Sequence, residues 1–97
     1  MQLEYKNKKI QRVCEDQKTA IRRHGIEIAS LLQVRLEQLK AYASVEDMVK
    51  AGVGGIHALS GNRQGQYAMH LKHPHRLILI KALSPGTIRI IEITDYH

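Results

Sequence analysis

Three glycines, Gly52, Gly54 and Gly55, divide the chain into two halves with different hydrophobic periods. Before them, apolar residues recur every three or four positions, which is the period of an amphipathic helix. After them, short β-branched and leucine-rich runs alternate with turn residues, which is the pattern of short strands. The sequence therefore predicts an α+β fold in which N-terminal helices pack on a small, mainly antiparallel C-terminal sheet.

The first half contains well-marked helical segments. Residues 26–42 carry an apolar stripe on one side and polar residues on the other, and Asn7 is placed to cap a shorter helix before them. Ser44 and Asp47 resemble a capping box and predict a further helix over about residues 45–50. The apolar positions of the first two helices are Ile10, Val13 and Cys14, and Ile28, Leu31, Leu32, Leu36, Leu39 and Ala43.

One segment of the first half, Thr19 to Gly25, is ambiguous, because Gly25 fits either the end of a turn or a position inside a helix.

The predicted strands are residues 2–6, 56–59, 66–72, 76–83 and 87–94. The last four are joined by short turns, so consecutive strands must be antiparallel neighbours. The first is expected at an edge of the sheet.

Size and charge restrict the classes of function. A chain of 97 residues predicts one domain over residues 1–97, and its net charge of +6 favours a polyanionic or acidic partner. One cysteine, Cys14, excludes an internal disulfide and a cysteine-based zinc site, and its place among apolar helix positions indicates a buried packing role. We see no signal-peptide core and no membrane-spanning stretch, so we expect a cytoplasmic protein without membrane contact.

Polar residues near the predicted strands could assemble a site that cleaves RNA without a metal. Such cleavage needs a base for the 2′-hydroxyl proton, cations for the phosphate and an acid for the leaving oxygen. His57 could share the proton transfers with His97 or Asp95, while Tyr96 could stack on a base or donate a hydrogen bond. The candidate phosphate ligands are Arg63, Lys72 and Arg76, together with Lys6, Lys8 and Lys9 in the basic N-terminal segment.

Each candidate also has a structural alternative. A histidine on a strand is more often a structural residue, and arginines beside turns are mostly solvated. A basic run such as the N-terminal lysines is most often a solvated helix face. His70, His73 and His75 could bind zinc or nickel. We favour a solvated or RNA-facing hairpin tip for them, because no cysteine or carboxylate is close in sequence, and we expect no metal and no cofactor.

The sequence around these candidates resembles a known family. Residues 56–67 contain the pattern His-x-Leu-x-Gly-x-Arg-x-Gly, and Arg76-Leu77-Ile78-Leu79 and Asp95-Tyr96-His97 follow it. Together they resemble the HigB-type toxins of the RelE/ParE superfamily. The resemblance implies a microbial RNase-like fold and a ribosome-dependent endoribonuclease that cuts mRNA and inhibits translation. It also implies a helix-turn-helix antitoxin as partner, with operator DNA contacted only through that antitoxin.

The resemblance assigns roles by position. It implies that His57 and the terminal Asp95, Tyr96 and His97 are catalytic. It also implies that Arg63, Arg76 and Lys72 hold basic family positions, although the turn between Lys72 and Arg76 is one residue shorter here. Ser60 stands where the family often has a lysine. Two other hypotheses remain open: a non-enzymatic toxin that acts on DNA gyrase, as in the ParE branch, and a catalytically weak module that binds RNA or antitoxin.

Overall fold

A computed structural model of the protein describes residues 1–95 and confirms the α+β prediction. Tyr96 and His97, two of the predicted catalytic residues, lie outside the described residues. The helices are α1 (Lys8–Glu15), α2 (Gln17–His24), α3 (Ile26–Ala41) and α4 (Val45–Ala51). The strands are β1 (Gln2–Tyr5), β2 (His57–Ala58), β3 (Gln66–His70), β4 (His75–Lys81) and β5 (Thr87–Asp95).

Both predicted helix caps form. The Asn7 side-chain oxygen accepts a hydrogen bond from the Ile10 N–H at 3.0 Å at the start of α1. The Ser44 hydroxyl oxygen accepts one from the Asp47 N–H at 3.1 Å at the start of α4. These bonds satisfy backbone donors that have no partner inside the helix, and therefore fix where each helix begins.

The ambiguous segment before Gly25 is helical. Gly25 ends α2 by donating its N–H to the Ile21 carbonyl at 2.8 Å, and its own carbonyl accepts from the Ala29 N–H at 3.0 Å at the start of α3. Its φ of +86° turns the chain sharply between the two helices, in a region that side-chain-bearing residues rarely adopt. One glycine thus joins two consecutive helices.

The strands form one sheet in the order β1-β5-β4-β3-β2. Strands β2 to β5 are antiparallel neighbours, as predicted, and β1 lies at the edge as predicted but runs parallel to β5. Strand β2 is shorter than predicted because 3₁₀ turns at Val53–Gly55 and Gly61–Arg63 bound it closely. A register shift interrupts the pairing of β4 with β5 next to Ile78 and Leu79.

The helices pack on one face of this sheet and form the hydrophobic core. Leu32, Leu36 and Leu39 of α3 meet Leu77 and Leu79 of β4 in a single buried cluster. Cys14 is buried in the same cluster, and burial, helped by the charge of Glu15, raises the pKa of its thiol to about 12. This thiol is therefore neutral and packs as a small apolar side chain. Within residues 1–95, every helix is too short or too polar to cross a bilayer.

The other face of the sheet carries the alternate residues of the same strands. We call it the open face. It consists of two rows of residues that lie opposite one another on neighbouring strands and therefore point the same way. The first row is His57, Ala68, Ile78 and Glu92, and the second is His70, Arg76 and Thr94.

Candidate functional site

His57 stands at the end of the first row of the open face. It is exposed, and its Nδ1 lies 2.9 Å from the carbonyl oxygen of Gly55. Because a carbonyl oxygen only accepts, Nδ1 must carry the hydrogen, so the free Nε2 is the nitrogen able to exchange a proton with a ligand. The ring is thus held in one orientation by its own backbone.

His70 lies beside His57. The centroids of the two imidazole rings are 6.2 Å apart, and the rings meet edge to face. His70 is exposed. Partial burial of the ring, with positive charge from Arg76, His57 and Arg35, lowers the pKa of His70 and favours its neutral form.

Two contacts place the end of β3 that carries His70. The Arg35 Nε of α3 donates a hydrogen bond to the His70 carbonyl at 2.7 Å. On the side of the ring, Gly55 leaves the space that the imidazole occupies, because a Cβ atom there would lie 2.6 Å from two ring atoms. The position of His70 therefore depends on a helix arginine and on a glycine.

Arg76 lies directly opposite His70 in the β3–β4 ladder. It is half-buried, and its Nη1 donates to the neighbouring His75 carbonyl at 3.0 Å. This hydrogen bond uses one of the five guanidinium N–H groups, so donors remain for an anion. The structure thus brings together two imidazoles and one guanidinium on the open face.

Arg63 reaches across the open face from the turn before β3. Its Nη1 donates to the Gln66 side chain at 2.8 Å, and both terminal nitrogens approach Glu92 at 3.4 Å. Gln66 belongs to β3 and Glu92 to β5, so the guanidinium lies over β4, where Ile78 is fully buried. A phosphate would have to compete with Glu92 for this cation.

The remaining candidates lie elsewhere. Asp95 pairs with His75, two residues beyond Ile93, which packs against the core, so strand alternation directs Asp95 to the helix-facing side. Lys72, in the β3–β4 turn, forms an ion pair with Glu27 of α3 at 2.6 Å.

The N-terminal lysines are at the opposite edge of the sheet from His57. Four strand spacings separate β1 from β2, which is roughly 19 Å. Lys6 and Lys9 line a groove of about 430 Å³ beside β5 together with Arg23 and His24, while Lys8 is exposed at the start of α1. The structure therefore separates these lysines from the two histidines.

The hairpin histidines His73 and His75 do not join a metal-binding set with His70. Among residues 1–95, no group of three His, Cys, Asp or Glu side chains is placed to hold a metal ion. His75 points to the helix-facing side, since it alternates with Leu77 and Leu79 of the core.

Comparisons with known proteins identify the fold. No protein-family model and no curated protein matches the sequence. Solved structures do match: a YoeB/ParE toxin from Agrobacterium tumefaciens superposes with a TM-score of 0.68 at 15% identity, covering 100% of both chains. The YoeB–YefM complex from Staphylococcus aureus matches with a TM-score of 0.64 at 18% identity, covering 100% of this chain and 97% of the other. The protein has the α+β fold of these toxins.

The sequence pointed to His70 only as a possible metal ligand or hairpin-tip residue, and assigned no role to Glu92. The signal for His70 was present, since alternation places it on the face of β3 opposite Tyr67, Met69 and Leu71. What the sequence did not supply was the register that sets His57 against Ala68 and so brings His70 close. Glu92 could not be predicted either, because its contact with Arg63 joins residues 29 positions apart and depends on strand register.

Proposed function

We propose that this protein is the toxin of a type II toxin–antitoxin system and cleaves mRNA on the ribosome. The observation that carries the proposal is the open face, which presents His57 of β2 and Arg76 of β4 on either side of His70, on a fold shared with YoeB/ParE toxins. The net charge of +6 suits a polyanionic substrate.

The proposed reaction is attack of a ribose 2′-hydroxyl on the adjacent phosphate. His57, through its free Nε2, exchanges a proton with the reacting oxygens. Arg76 holds the phosphate with its guanidinium, and Arg63 joins it when the phosphate replaces Glu92. The predicted roles of Asp95, Tyr96 and His97 in this step stay predictions, as do phosphate contacts of Lys72 and the N-terminal lysines.

The proposal includes a protein partner. One of the similar structures is a YoeB–YefM complex, which supports, by analogy, a cognate antitoxin for this chain. We expect that antitoxin to carry the helix-turn-helix domain and any contact with operator DNA. The site of action would be the cytoplasm, where translating ribosomes are found.

Expression of the protein in bacterial cells, followed by primer extension on abundant mRNAs, tests the function. We expect discrete cleavage sites and growth arrest with the wild type, and neither with His57→Ala. Intact mRNA in arrested cells would contradict the proposal, and intact mRNA with a DNA-damage response would favour the gyrase hypothesis instead. Arrest by His57→Ala at wild-type strength would also contradict it.

A further inference from the structure

The open face carries a second imidazole whose position suits proton transfer. The centroids of the His57 and His70 rings lie 6.2 Å apart, which places both imidazoles within reach of one bound phosphodiester group. Arg76, opposite His70 on β4, supplies the cation beside it.

We propose that His70 is a catalytic residue, the second proton-transfer group that works with His57 on an RNA phosphodiester. This inference rests on the proposed endoribonuclease function and deepens it. Neither the family resemblance nor the comparisons assign a role to this histidine.

The surroundings of the two rings indicate which imidazole accepts a proton and which one donates it. Among residues 1–95, the charged groups that act on His70 are Arg76 from β4, Arg35 from α3 and His57 from β2. With burial, they lower its pKa and favour the neutral base. We assign the acid to His57, because its Nδ1 is held by the Gly55 carbonyl and Nε2 is therefore the nitrogen through which a protonated ring would deliver its proton.

The step balances with these two groups alone. Neutral His70 takes the proton of the 2′-hydroxyl while the 2′-oxygen forms a bond to phosphorus. The bond between phosphorus and the 5′-oxygen breaks, and that oxygen takes the proton from protonated His57. The products are a 2′,3′-cyclic phosphate and a 5′-hydroxyl, and the two imidazoles recover their starting protonation by exchange with water.

The test compares cleavage of ribosome-bound mRNA by purified wild type, His70→Gln and His70→Lys across pH 5 to 9. Glutamine at this position can still form hydrogen bonds but does not titrate, and lysine introduces a positive charge but is not a base near neutral pH. We expect both variants to lose about 100-fold or more in rate, and to lose the fall in rate toward acid pH that protonation of His70 causes. His73→Gln, which removes an exposed imidazole from the same hairpin, serves as the control and should keep the fall in rate toward acid pH.

Three outcomes contradict the inference. A His70→Gln rate within about threefold of wild type removes the catalytic role. An active His70→Lys beside an inactive His70→Gln shows that the residue acts as a cation. If the variants are slow but their rates still fall toward acid pH, the substitutions act through the structure and not through loss of the base. Failure of wild type to cut ribosome-bound mRNA would instead overturn the proposed function together with this inference, so the two failures are distinguishable.

Discussion

The two faces of the sheet use alternate residues of the same strands but contribute differently to the molecule. On the helix-facing side of β4, Leu77 and Leu79 are fully buried against α3. On the open face, Arg76 of the same strand is half-buried and lies beside exposed imidazoles. Stability therefore resides mainly on one face and the proposed chemistry on the other, and substitutions should separate the two.

The largest expected effect is on stability. Leu79→Ala leaves a cavity between the sheet and α3 and should lower the free energy of unfolding by about 2–5 kcal/mol. Urea denaturation measures the loss. We expect the cleavage rate per folded molecule to stay near that of wild type, because Leu79 points away from the open face.

The matched substitution on the open face is Arg76→Gln. It should change the free energy of unfolding by about 1 kcal/mol or less, yet slow cleavage about 10²–10³-fold because the transition state loses a cation. If Arg76→Gln destabilises the protein as much as Leu79→Ala, or leaves cleavage intact, the division between the two faces is wrong.

A smaller effect is expected where the open face meets the 3₁₀ turn. Gly55 has a φ of +67°, and a Cβ there would lie 2.6 Å from the His70 ring, so Gly55→Ala combines backbone strain with a clash. Gly61→Ala is the matched control, because its φ of +65° imposes similar strain while nothing lies within 4 Å. Backbone strain alone should cost about 1–2 kcal/mol in each variant.

The clash should make Gly55→Ala the more damaging of the two, in unfolding free energy measured with urea and in cleavage rate. Equal losses in both variants would mean that the His70 ring moves freely, which would weaken its proposed placement.

The smallest effect concerns pH. Burial, with His75, Arg23 and Lys9 nearby, lowers the pKa of His24 on the helical side from its ordinary value of 6.5. Between the folded pKa and 6.5 the unfolded chain binds more protons, so stability is complete above 6.5 and falls as pH drops toward the folded pKa. Because the ring is partly exposed, we expect less than about 1 kcal/mol.

Urea denaturation at pH 7.5 and 5.5 measures this effect. His24→Gln should reduce the loss of stability between the two values, and His70→Gln, with its more exposed ring on the open face, should reduce it less. If His24→Gln loses as much unfolding free energy between pH 7.5 and 5.5 as wild type does, His24 is not the source of the pH dependence.

The parts of the fold that were predictable from sequence have local signals. The apolar period of α3, the caps at Asn7 and Ser44, and the short turns between β3, β4 and β5 depend on residues a few positions apart. The sequence leaves helix α2 ambiguous because this helix is mostly polar and buries only Thr19 and Ala20, so it has almost no apolar stripe.

The features that were not predictable depend on distant pairings. Nothing near Gln2 indicates that β1 runs parallel to β5, since the two are joined by hydrogen bonds across more than eighty residues. The candidate site also depends on distant pairings. The sequence indicates His57 and Arg76 as site residues, but the approach of His70 to His57 and the contact of Arg63 with Glu92 follow from strand register. A one-residue shift in register would send these side chains to the other face.

The central claim is that the open face cuts RNA by using the 2′-hydroxyl as nucleophile, and one substrate tests it most directly. Once a cleavage site has been mapped on ribosome-bound mRNA, the nucleotide on its 5′ side is replaced by its 2′-deoxy form. We expect that message to survive intact while the unmodified message is cut to ends bearing a 2′,3′-cyclic phosphate and a 5′-hydroxyl. Cleavage of the deoxy message at an undiminished rate would contradict the account.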